Sequence, residues 1–253
     1  MAYANNQGVQ IHYQVEGKGT PLVLQHGFAD SLESWYELGY VPALREDYQL
    51  ILVDARGHGA SGKPHDPDAY GLHRRVGDIV AVLDTLHLTT AHFWGYSMGG
   101  WIGFGIAAYA PERVRALIIG GQHPYARTPE AMRQIIQRGL AQGPEAFVAG
   151  MEETFGSLDA EYKARLLTAD LEAYLAMTQD RPSLDRVLPT IPMPCCLYAG
   201  EQDPVYSGVK ACSQQIPQVT FVSLPGLTHA EAFVRSELIL PQITKFLATV
   251  PRV

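Results

Sequence analysis

The sequence predicts an α/β fold, with a doubly wound and mostly parallel sheet that is interrupted by a helical insertion. Short apolar runs alternate with helical patterns along most of the 253 residues, which is typical of a parallel sheet covered by helices. One such run leads into the sequence GYSMG at 95–99, where a strand, a sharp turn and a helix are expected to follow one another. The alternation stops between 122 and 189, where only helical patterns occur.

Strands are predicted where apolar residues form short runs or alternate with polar residues. Between 9 and 15 the two kinds alternate, which is typical of a half-exposed strand at the edge of a sheet, with His12 on its exposed face. Further strands are predicted from apolar runs at 21–25, at 48–54, in the run that ends at Ser97, and at 116–119, 195–199 and 219–223.

Helices are predicted where apolar residues recur at helical spacing, so that one stripe of each segment is buried. The segments with this pattern are 35–46, 74–88, 98–109, about 209–216 and about 231–248. The first four lie between predicted strands and the fifth follows the last strand, as expected for a doubly wound sheet.

The stretch 122–189 is predicted to be a helical cap inserted into the sheet domain. Thr128 and Pro129 open a first helix, because proline is favoured at the first helical position. Gly143 and Pro144 separate it from a second, and 157–159 opens a third. A stiff return to the sheet is marked by the prolines Pro182, Pro189, Pro192 and Pro194. The predicted domains are therefore a core of 1–121 and 190–253 and a cap of 122–189.

Composition and charge exclude several classes of protein. The chain is 47% hydrophobic and 18% charged, which argues against disorder. Its net charge of −7 and isoelectric point near 5.7 disfavour nucleic acid or an anionic membrane as a partner. No signal peptide or membrane-spanning run is expected, so the predicted location is cytoplasmic. Cys195, Cys196 and Cys212 are expected to be small buried apolar residues rather than disulfide partners.

Ser97 is predicted to be a nucleophile. It lies between Gly95 and Gly99 in the pattern G-x-S-x-G. Glycine is needed on both sides because a turn this tight leaves no room for a Cβ atom near the serine. The turn presents the hydroxyl at the edge of the sheet, beside the first amides of the next helix.

A base and an orienting acid are predicted at the same edge of the sheet. Of nine histidines, His229 lies between the last strand and the last helix, at the carboxyl edge that also carries Ser97. Asp203 follows the preceding strand and stands before a proline that holds it extended. Glu201 is the rival for the acid, and is otherwise a solvated loop charge.

Two backbone amides are expected to stabilise a negatively charged oxygen beside Ser97. The Met98 N–H opens the helix after the serine, where the helix dipole adds positive potential. The second donor is the Phe28 N–H, in the loop that reads His26-Gly27-Phe28 after an earlier strand. The ring of His26 is expected to pack within that loop.

These motifs resemble those of the α/β-hydrolase superfamily, and the resemblance spans nearly the whole chain, being weakest in the predicted cap. The order Ser97, Asp203, His229 matches that family's order of nucleophile, acid and base. The sequence DARGHGAS at 54–61 is similar to the family's D-x-R-G-x-G-x-S turn, which implies structural roles for Asp54 and Arg56. The resemblance also implies a sheet of about eight strands.

Two departures from related patterns narrow the chemistry that the resemblance implies. The loop at His26 lacks the H-G-G-G run of some lipases and esterases. The nucleophile is serine, whereas haloalkane dehalogenases and epoxide hydrolases carry aspartate there, which points to acyl transfer. Some members place the acid after the strand at 116–119, but the chain reads GGQH there and has no carboxylate, which favours Asp203.

The predicted function is a serine esterase that cleaves a small or medium apolar carboxylic ester. The same residues would serve an enol-lactonase or, with a cap-side arginine such as Arg127, Arg133 or Arg138, a carbon–carbon bond hydrolase. Perhydrolase or haloperoxidase side activity and acyl transfer to an acceptor other than water are further alternatives. A different class is also open, namely a hydrolase-like receptor that senses a small molecule.

An apolar substrate pocket is expected between the core and the predicted cap. The predicted substrate-binding residues are His26, Phe28, Tyr125, Phe147 and Met151, with packing among the cap helices as the alternative for the last three. No metal or nucleotide motif is present, so no cofactor is expected. The expected partner is a small-molecule ester or lactone, and a monomer and a homodimer are both compatible with the sequence.

Overall fold

An eight-stranded sheet forms the centre of the computed structural model, which describes residues 1–250. The strands are β1 (Ala2–Asn6), β2 (Val9–Glu16), β3 (Thr20–Gln25), β4 (Tyr48–Val53), β5 (Ala91–Tyr96), β6 (Val114–Gly120), β7 (Cys195–Gly200) and β8 (Val219–Leu224). They lie in the order β1-β2-β4-β3-β5-β6-β7-β8. Strands β3 to β8 are parallel, and β1 and β2 form an antiparallel extension beside β4. The predicted α/β fold with a mostly parallel sheet is confirmed.

Helices lie between the parallel strands and after the last of them. They are α1 (Glu33–Glu37), α2 (Tyr40–Leu44), α3 (Leu72–Thr85), α4 (Met98–Tyr109), α5 (Glu130–Gln142), α6 (Pro144–Phe155), α7 (Ala160–Leu167), α8 (Leu171–Met177), α9 (Tyr206–Ser213), α10 (Glu231–Val234) and α11 (Ser236–Leu247). The helix predicted at 35–46 is two short helices, because Gly39 takes a φ of 81° between them. The last predicted helix is likewise interrupted, at Arg235. Within residues 1–250 no helix has the length and apolarity needed to cross a membrane.

The prediction for the edge of the sheet is wrong. β1 pairs with β2 on its outer side, so β2 is an internal strand and β1 is the edge. His12 was expected on an exposed face, but it is only 4% exposed, and its Nδ1 donates to Asp54 Oδ2 at 2.8 Å. β2 is paired on both sides, and the buried carboxylate of Asp54 accepts from His12. The histidine is therefore buried, although the alternation of polar and apolar residues predicts that it faces solvent.

Neighbouring residues of the central strands pack on opposite faces of the sheet. Phe93 belongs to the apolar cluster that includes α3 and α4, whereas Trp94 belongs to the cluster that includes α1, α2 and α11. Leu197 and Tyr198 of β7 divide in the same way. Because both faces are covered, these strands are apolar almost throughout, which is the pattern from which they were predicted.

The segment between β6 and β7, here called the cap segment (122–189), contains the four helices α5 to α8. Its apolar side packs on residues that follow the parallel strands, namely Ala29 after β3, Ala55 after β4 and Met98 after β5. The cap segment therefore covers the carboxyl edge of the sheet. The division into two domains at 121/122 and 189/190 stays a prediction.

A buried ion pair joins the turn after β4 to α3. Arg56 Nε donates to Asp78 Oδ2 at 2.6 Å, Arg56 Nη2 donates to the other carboxylate oxygen, and both side chains are almost fully buried. Asn6 Nδ2 of β1 donates to the same aspartate at 2.8 Å. Desolvation raises the pKa of Asp78, and the Arg56 guanidinium opposes this effect by stabilising the negative charge of the buried carboxylate.

We expect Arg56→Leu to lower the free energy of unfolding by about 3–5 kcal/mol, because Asp78 would stay buried without its partner. Urea unfolding monitored by circular dichroism measures the change. Arg138→Leu is the matched control: Arg138 pairs with Glu153 at the surface, and losing that pair should cost less than about 1 kcal/mol. Equal effects of the two variants would contradict the prediction.

A histidine links the core to the cap segment. His65 Nε2 lies 3.0 Å from Asp170 and its Nδ1 lies 2.8 Å from Glu172, at the start of α8. The hydrogen bond to Asp170, followed by the negative charges of both acids, raises the pKa of His65. A raised pKa in the folded state means that this contact stabilises the fold below the histidine's ordinary pKa and is lost as pH rises through the folded value.

We therefore expect His65→Gln to destabilise the protein more at pH 5.5 than at pH 8.5. The measurement is urea unfolding of wild type and variant at both pH values. His73→Gln replaces an exposed histidine that has no carboxylate partner among residues 1–250, and it should give no such difference. A His65→Gln effect that grows with pH would refute this account.

Candidate active site

Ser97 lies at a strained turn between β5 and α4. Its backbone has a φ of 52° and a ψ of −110°, a conformation that non-glycine residues rarely adopt. The turn is held on both sides, since the Ser97 N–H donates to Gly120 O at 2.8 Å and the Trp101 N–H donates to Ser97 O at 3.0 Å. The half-buried serine therefore projects from the carboxyl edge of the sheet at a fixed angle.

The two glycines of the motif are needed for close backbone contacts. A Cβ on Gly95 would come 2.2 Å from the carbonyl oxygen of Gly99, and one on Gly99 would come 2.2 Å from that of Gln25. Backbone cannot yield by so much, so any side chain at either position would separate α4 from the sheet. This is the spatial reason for the pattern from which the turn was predicted.

The structure brings Ser97, His229 and Asp203 together. His229 Nε2 lies 3.0 Å from Ser97 Oγ, and His229 Nδ1 lies 2.6 Å from Asp203 Oδ2. A carboxylate only accepts hydrogen bonds, so Nδ1 carries the proton and Nε2 is free to accept from the serine hydroxyl. The order is that of a nucleophile, a base and an orienting acid.

Further hydrogen bonds hold Asp203 and His229 in position. The second oxygen of Asp203 accepts from the Val205 N–H at 3.0 Å, and the aspartate is 4% exposed. The Tyr96 hydroxyl donates to the backbone oxygen of His229. Burial, followed by the charge of Asp203, raises the pKa of Tyr96, so that hydroxyl stays protonated. Glu201, the rival acid, is exposed and accepts from Ser223 Oγ at 2.7 Å instead of contacting His229.

Two buried histidines hold the loop that follows β3. His26 donates from Nδ1 to Gly27 O at 2.7 Å and accepts the Ala55 N–H at its Nε2 at 3.1 Å. His58 donates from Nδ1 to Arg56 O at 3.2 Å and accepts the Ala29 N–H at 3.1 Å. Desolvation lowers the pKa of His58, so its ring stays neutral and can accept.

This loop passes close to the serine. A Cβ on Gly27 would lie 3.5 Å from Ser97 Cβ. Among residues 1–250 the N–H groups of Phe28 and Met98 donate no hydrogen bond, which leaves them free for an oxygen bound beside Ser97. Their role as an oxyanion hole stays a prediction that this geometry fits.

The predicted pocket residues lie in different surroundings. The ring of Phe28 packs against those of His58 and Tyr174, beneath the cap segment. Phe147 and Met151 are 0% and 3% exposed, inside the apolar cluster of the cap segment. Substrate contact by these two residues stays a prediction, and in this conformation their side chains pack the cap helices on each other.

The hydrogen bonds of His26 and Tyr125 are made with groups other than the serine hydroxyl. His26 is 0% exposed and both of its ring nitrogens bind backbone groups, so its ring supports the loop. Tyr125 lies on the side of α9, where its hydroxyl accepts from Gln215 Nε2 at 3.0 Å. Neither placement favours a direct contact with substrate, and both assignments stay predictions.

Sequence reasoning missed three supports of the site. Gln122 Nε2 donates to Ser97 O at 3.3 Å from a buried position after β6. Tyr96 and His58 hold His229 and the loop after β3, as described above. His58 lies within the sequence DARGHGAS, which was the one signal that could have drawn attention to it.

The chain belongs to the alpha/beta hydrolase fold family, whose model matches residues 20–169, more than half of the chain. This membership supports hydrolase activity. The match includes β3 to β6, the serine turn and part of the cap segment.

Individual relatives have several activities. The chain is 27% identical over 266 residues to a Bacillus subtilis (strain 168) protein named as a 2-succinyl-6-hydroxy-2,4-cyclohexadiene-1-carboxylate synthase, covering 95% of this chain and 96% of that one. It is 29% identical over 216 residues to 3-oxoadipate enol-lactonase 2 of Acinetobacter baylyi, covering 79% and 78%. Its fold is similar to the crystal structure of the enol-lactonase from Burkholderia xenovorans LB400, with a TM-score of 0.86, 23% identity and coverage of 98% and 100%.

We expect His58→Leu to reduce the kcat of hydrolysis by about 10- to 100-fold, because the Ala29 N–H loses its acceptor and the neighbouring Phe28 amide is no longer held. The melting temperature should also fall, since a buried donor is left unsatisfied. His58→Gln can accept the same hydrogen bond and should retain most of the activity. Equal kcat values for the two variants would contradict a role in positioning the loop.

Proposed function

We propose that the protein is a serine hydrolase that cleaves a carboxylic ester of a small or medium apolar substrate through an acyl-enzyme. The observation that carries this proposal is the hydrogen-bonded series from Ser97 Oγ through both nitrogens of His229 to Asp203, with lengths of 3.0 and 2.6 Å. It lies at the carboxyl edge of the sheet beneath the cap segment, where a substrate can be enclosed.

In the first half of the reaction Ser97 Oγ attacks the ester carbonyl carbon and its proton passes to His229 Nε2. Asp203 stabilises the imidazolium that forms, because it is already bonded to Nδ1. The carbonyl oxygen becomes an oxyanion, which the amides of Phe28 and Met98 stabilise. The tetrahedral intermediate then collapses, the C–O bond breaks, and His229 gives its proton to the departing alcohol.

In the second half water replaces the alcohol. His229 Nε2 accepts a proton from water as the water oxygen attacks the acyl carbon of the Ser97 ester. The second tetrahedral intermediate is stabilised by the same two amides. Its collapse returns the proton to Ser97 Oγ and releases the carboxylic acid, so the enzyme is regenerated.

Lactone hydrolysis is the second candidate function. A lactone is a cyclic ester, so the same attack opens its ring and the alcohol stays attached to the acid. The similarity to the relative from Acinetobacter baylyi, which is named a 3-oxoadipate enol-lactonase, supports lactone hydrolysis as the function. Parallel assays with 4-nitrophenyl esters of increasing chain length and with γ- and δ-lactones distinguish the two by kcat/KM.

We expect Ser97→Ala to reduce kcat for the preferred ester by about 10³- to 10⁶-fold, because the nucleophile is lost. Purified wild type and variant are compared by initial rates with a 4-nitrophenyl ester. Ser157→Ala removes an exposed serine of the cap segment and is the control for preparation and folding. Undiminished hydrolysis by Ser97→Ala would refute the proposed function.

The time course separates an enzyme from a receptor that keeps the same residues. Release of 4-nitrophenol over many turnovers supports hydrolysis, whereas one equivalent per chain followed by arrest indicates a receptor. An increase in rate on addition of an alcohol or amine would instead indicate acyl transfer to an acceptor other than water.

A further inference from the structure

A partly buried arginine of the cap segment, Arg181, has no carboxylate partner among residues 1–250 and lies where this segment meets α4, the helix that follows Ser97. Of the six arginines in the cap segment, Arg133, Arg138 and Arg165 pair with carboxylates, and Arg127 and Arg186 are exposed. Arg181 is partly buried, and no carboxylate among residues 1–250 pairs with its guanidinium. The neighbouring Asp180 is already bound, since its Oδ1 lies 2.6 Å from Arg133 Nη2.

Arg181 is held in place by its backbone and by an aromatic ring. Its N–H donates to Arg127 O at 2.8 Å, and the Arg127 N–H donates to Arg181 O at 3.0 Å. Its guanidinium carbon lies 5.6 Å from the centroid of the Trp101 ring, which is 4% exposed. A guanidinium held over an aromatic ring by a cation–π contact does not use its N–H groups in that contact, so they can donate to another acceptor.

This guanidinium is close to the candidate nucleophile. Trp101 lies one helical turn after Ser97, and its amide donates to Ser97 O at 3.0 Å, so the two residues are separated by about the 5.4 Å rise of one turn. Adding the contact between ring and guanidinium places the positive charge on the order of 10 Å from the serine. Desolvation, followed by the charge of Arg127, lowers the pKa of His123, and the charges of Arg181 and Asp203 also act on it, so both of these residues lie near His123.

The surroundings of Arg181 are short of negative charge. Burial, followed by the positive charges of Arg75 and Arg127, lowers the pKa of Arg181 to about 9. The guanidinium is still protonated at neutral pH, so it is a partly desolvated cation surrounded by like charges. Such a group is stabilised most by an anion that enters from outside.

We propose that Arg181, held over the ring of Trp101, forms a subsite for a carboxylate carried by the acyl part of the substrate. This inference rests on the proposed function for its catalytic step and specifies the substrate class. A spacing on the order of 10 Å, less one hydrogen-bond length at each end, fits an acyl chain of a few carbons. The substrate is then a half-ester, or the corresponding lactone, of a short dicarboxylic acid.

The test compares two esters of equal acyl chain length, mono(4-nitrophenyl) glutarate and 4-nitrophenyl pentanoate. We expect Arg181→Met to lower the ratio of their kcat/KM values by about 10- to 100-fold, mainly through a higher KM for the glutarate ester. Arg181→Lys should restore part of the ratio, because it keeps the charge. Arg138→Met, at an exposed surface pair, should leave the ratio at the wild-type value.

A purely structural role for Arg181 predicts a different result. If the arginine only holds the Trp101 ring in position, Arg181→Met would lower kcat/KM for both esters by the same factor, and the ratio of the two values would not change. An unchanged ratio therefore overturns the proposal, whether or not activity is lost.

A binding measurement separates failure of the subsite from failure of the proposed function. Glutarate should raise the melting temperature of wild type and of Ser97→Ala, relative to sodium chloride at the same ionic strength, and should not raise that of Arg181→Met. If neither ester is hydrolysed but glutarate stabilises the protein through Arg181, the subsite stands and the esterase proposal fails. If glutarate has no effect that depends on Arg181, the subsite is refuted even when esters are cleaved.

Discussion

The candidate site depends on how closely β5, β3 and the start of α4 approach one another. Gly95 and Gly99 leave room for backbone contacts that any Cβ would block at 2.2 Å, and between them Ser97 takes a left-handed φ of 52°. A serine in this conformation is strained, and the packed apolar strands around it supply the stability that holds it there. The nucleophile, the helix terminus and the loop after β3 are thereby brought to one point.

Around that point most of the buried polar groups are hydrogen-bonded, although within residues 1–250 the Nε2 of His12 has no partner. His26 and His58 each use both ring nitrogens on backbone groups, and Asp54 accepts from His12 and from the Leu32 and Ala60 amides. Satisfied polar groups of this kind define loop geometry more tightly than apolar packing does. The cap segment contrasts with them, because the partly buried guanidinium of Arg181 contacts the Trp101 ring but pairs with no carboxylate among residues 1–250.

Most of the fold could be predicted from the sequence because its strands are buried on both faces. Continuous apolar runs such as 195–200 are recognisable without any alignment, and α4 began and ended where its pattern predicted. The predictions failed where a contact from elsewhere decided the outcome. β1 was missed because five mixed residues form a strand only when β2 is beside them, and His12 was misplaced because Asp54 is 42 positions away.

The sequence by itself determined the family, the serine turn and the order Ser97, Asp203, His229, since each is a local pattern at the end of a predicted strand. The tertiary structure alone decided that His229 lies within 3.0 Å of the serine, that Glu201 faces Ser223, and that Phe147 and Met151 pack inside the cap segment. It also placed Arg181 over the Trp101 ring, where the guanidinium pairs with no carboxylate of the described residues 1–250. Such pairings join residues up to 132 positions apart, and no local pattern specifies which side chains will meet when the chain folds.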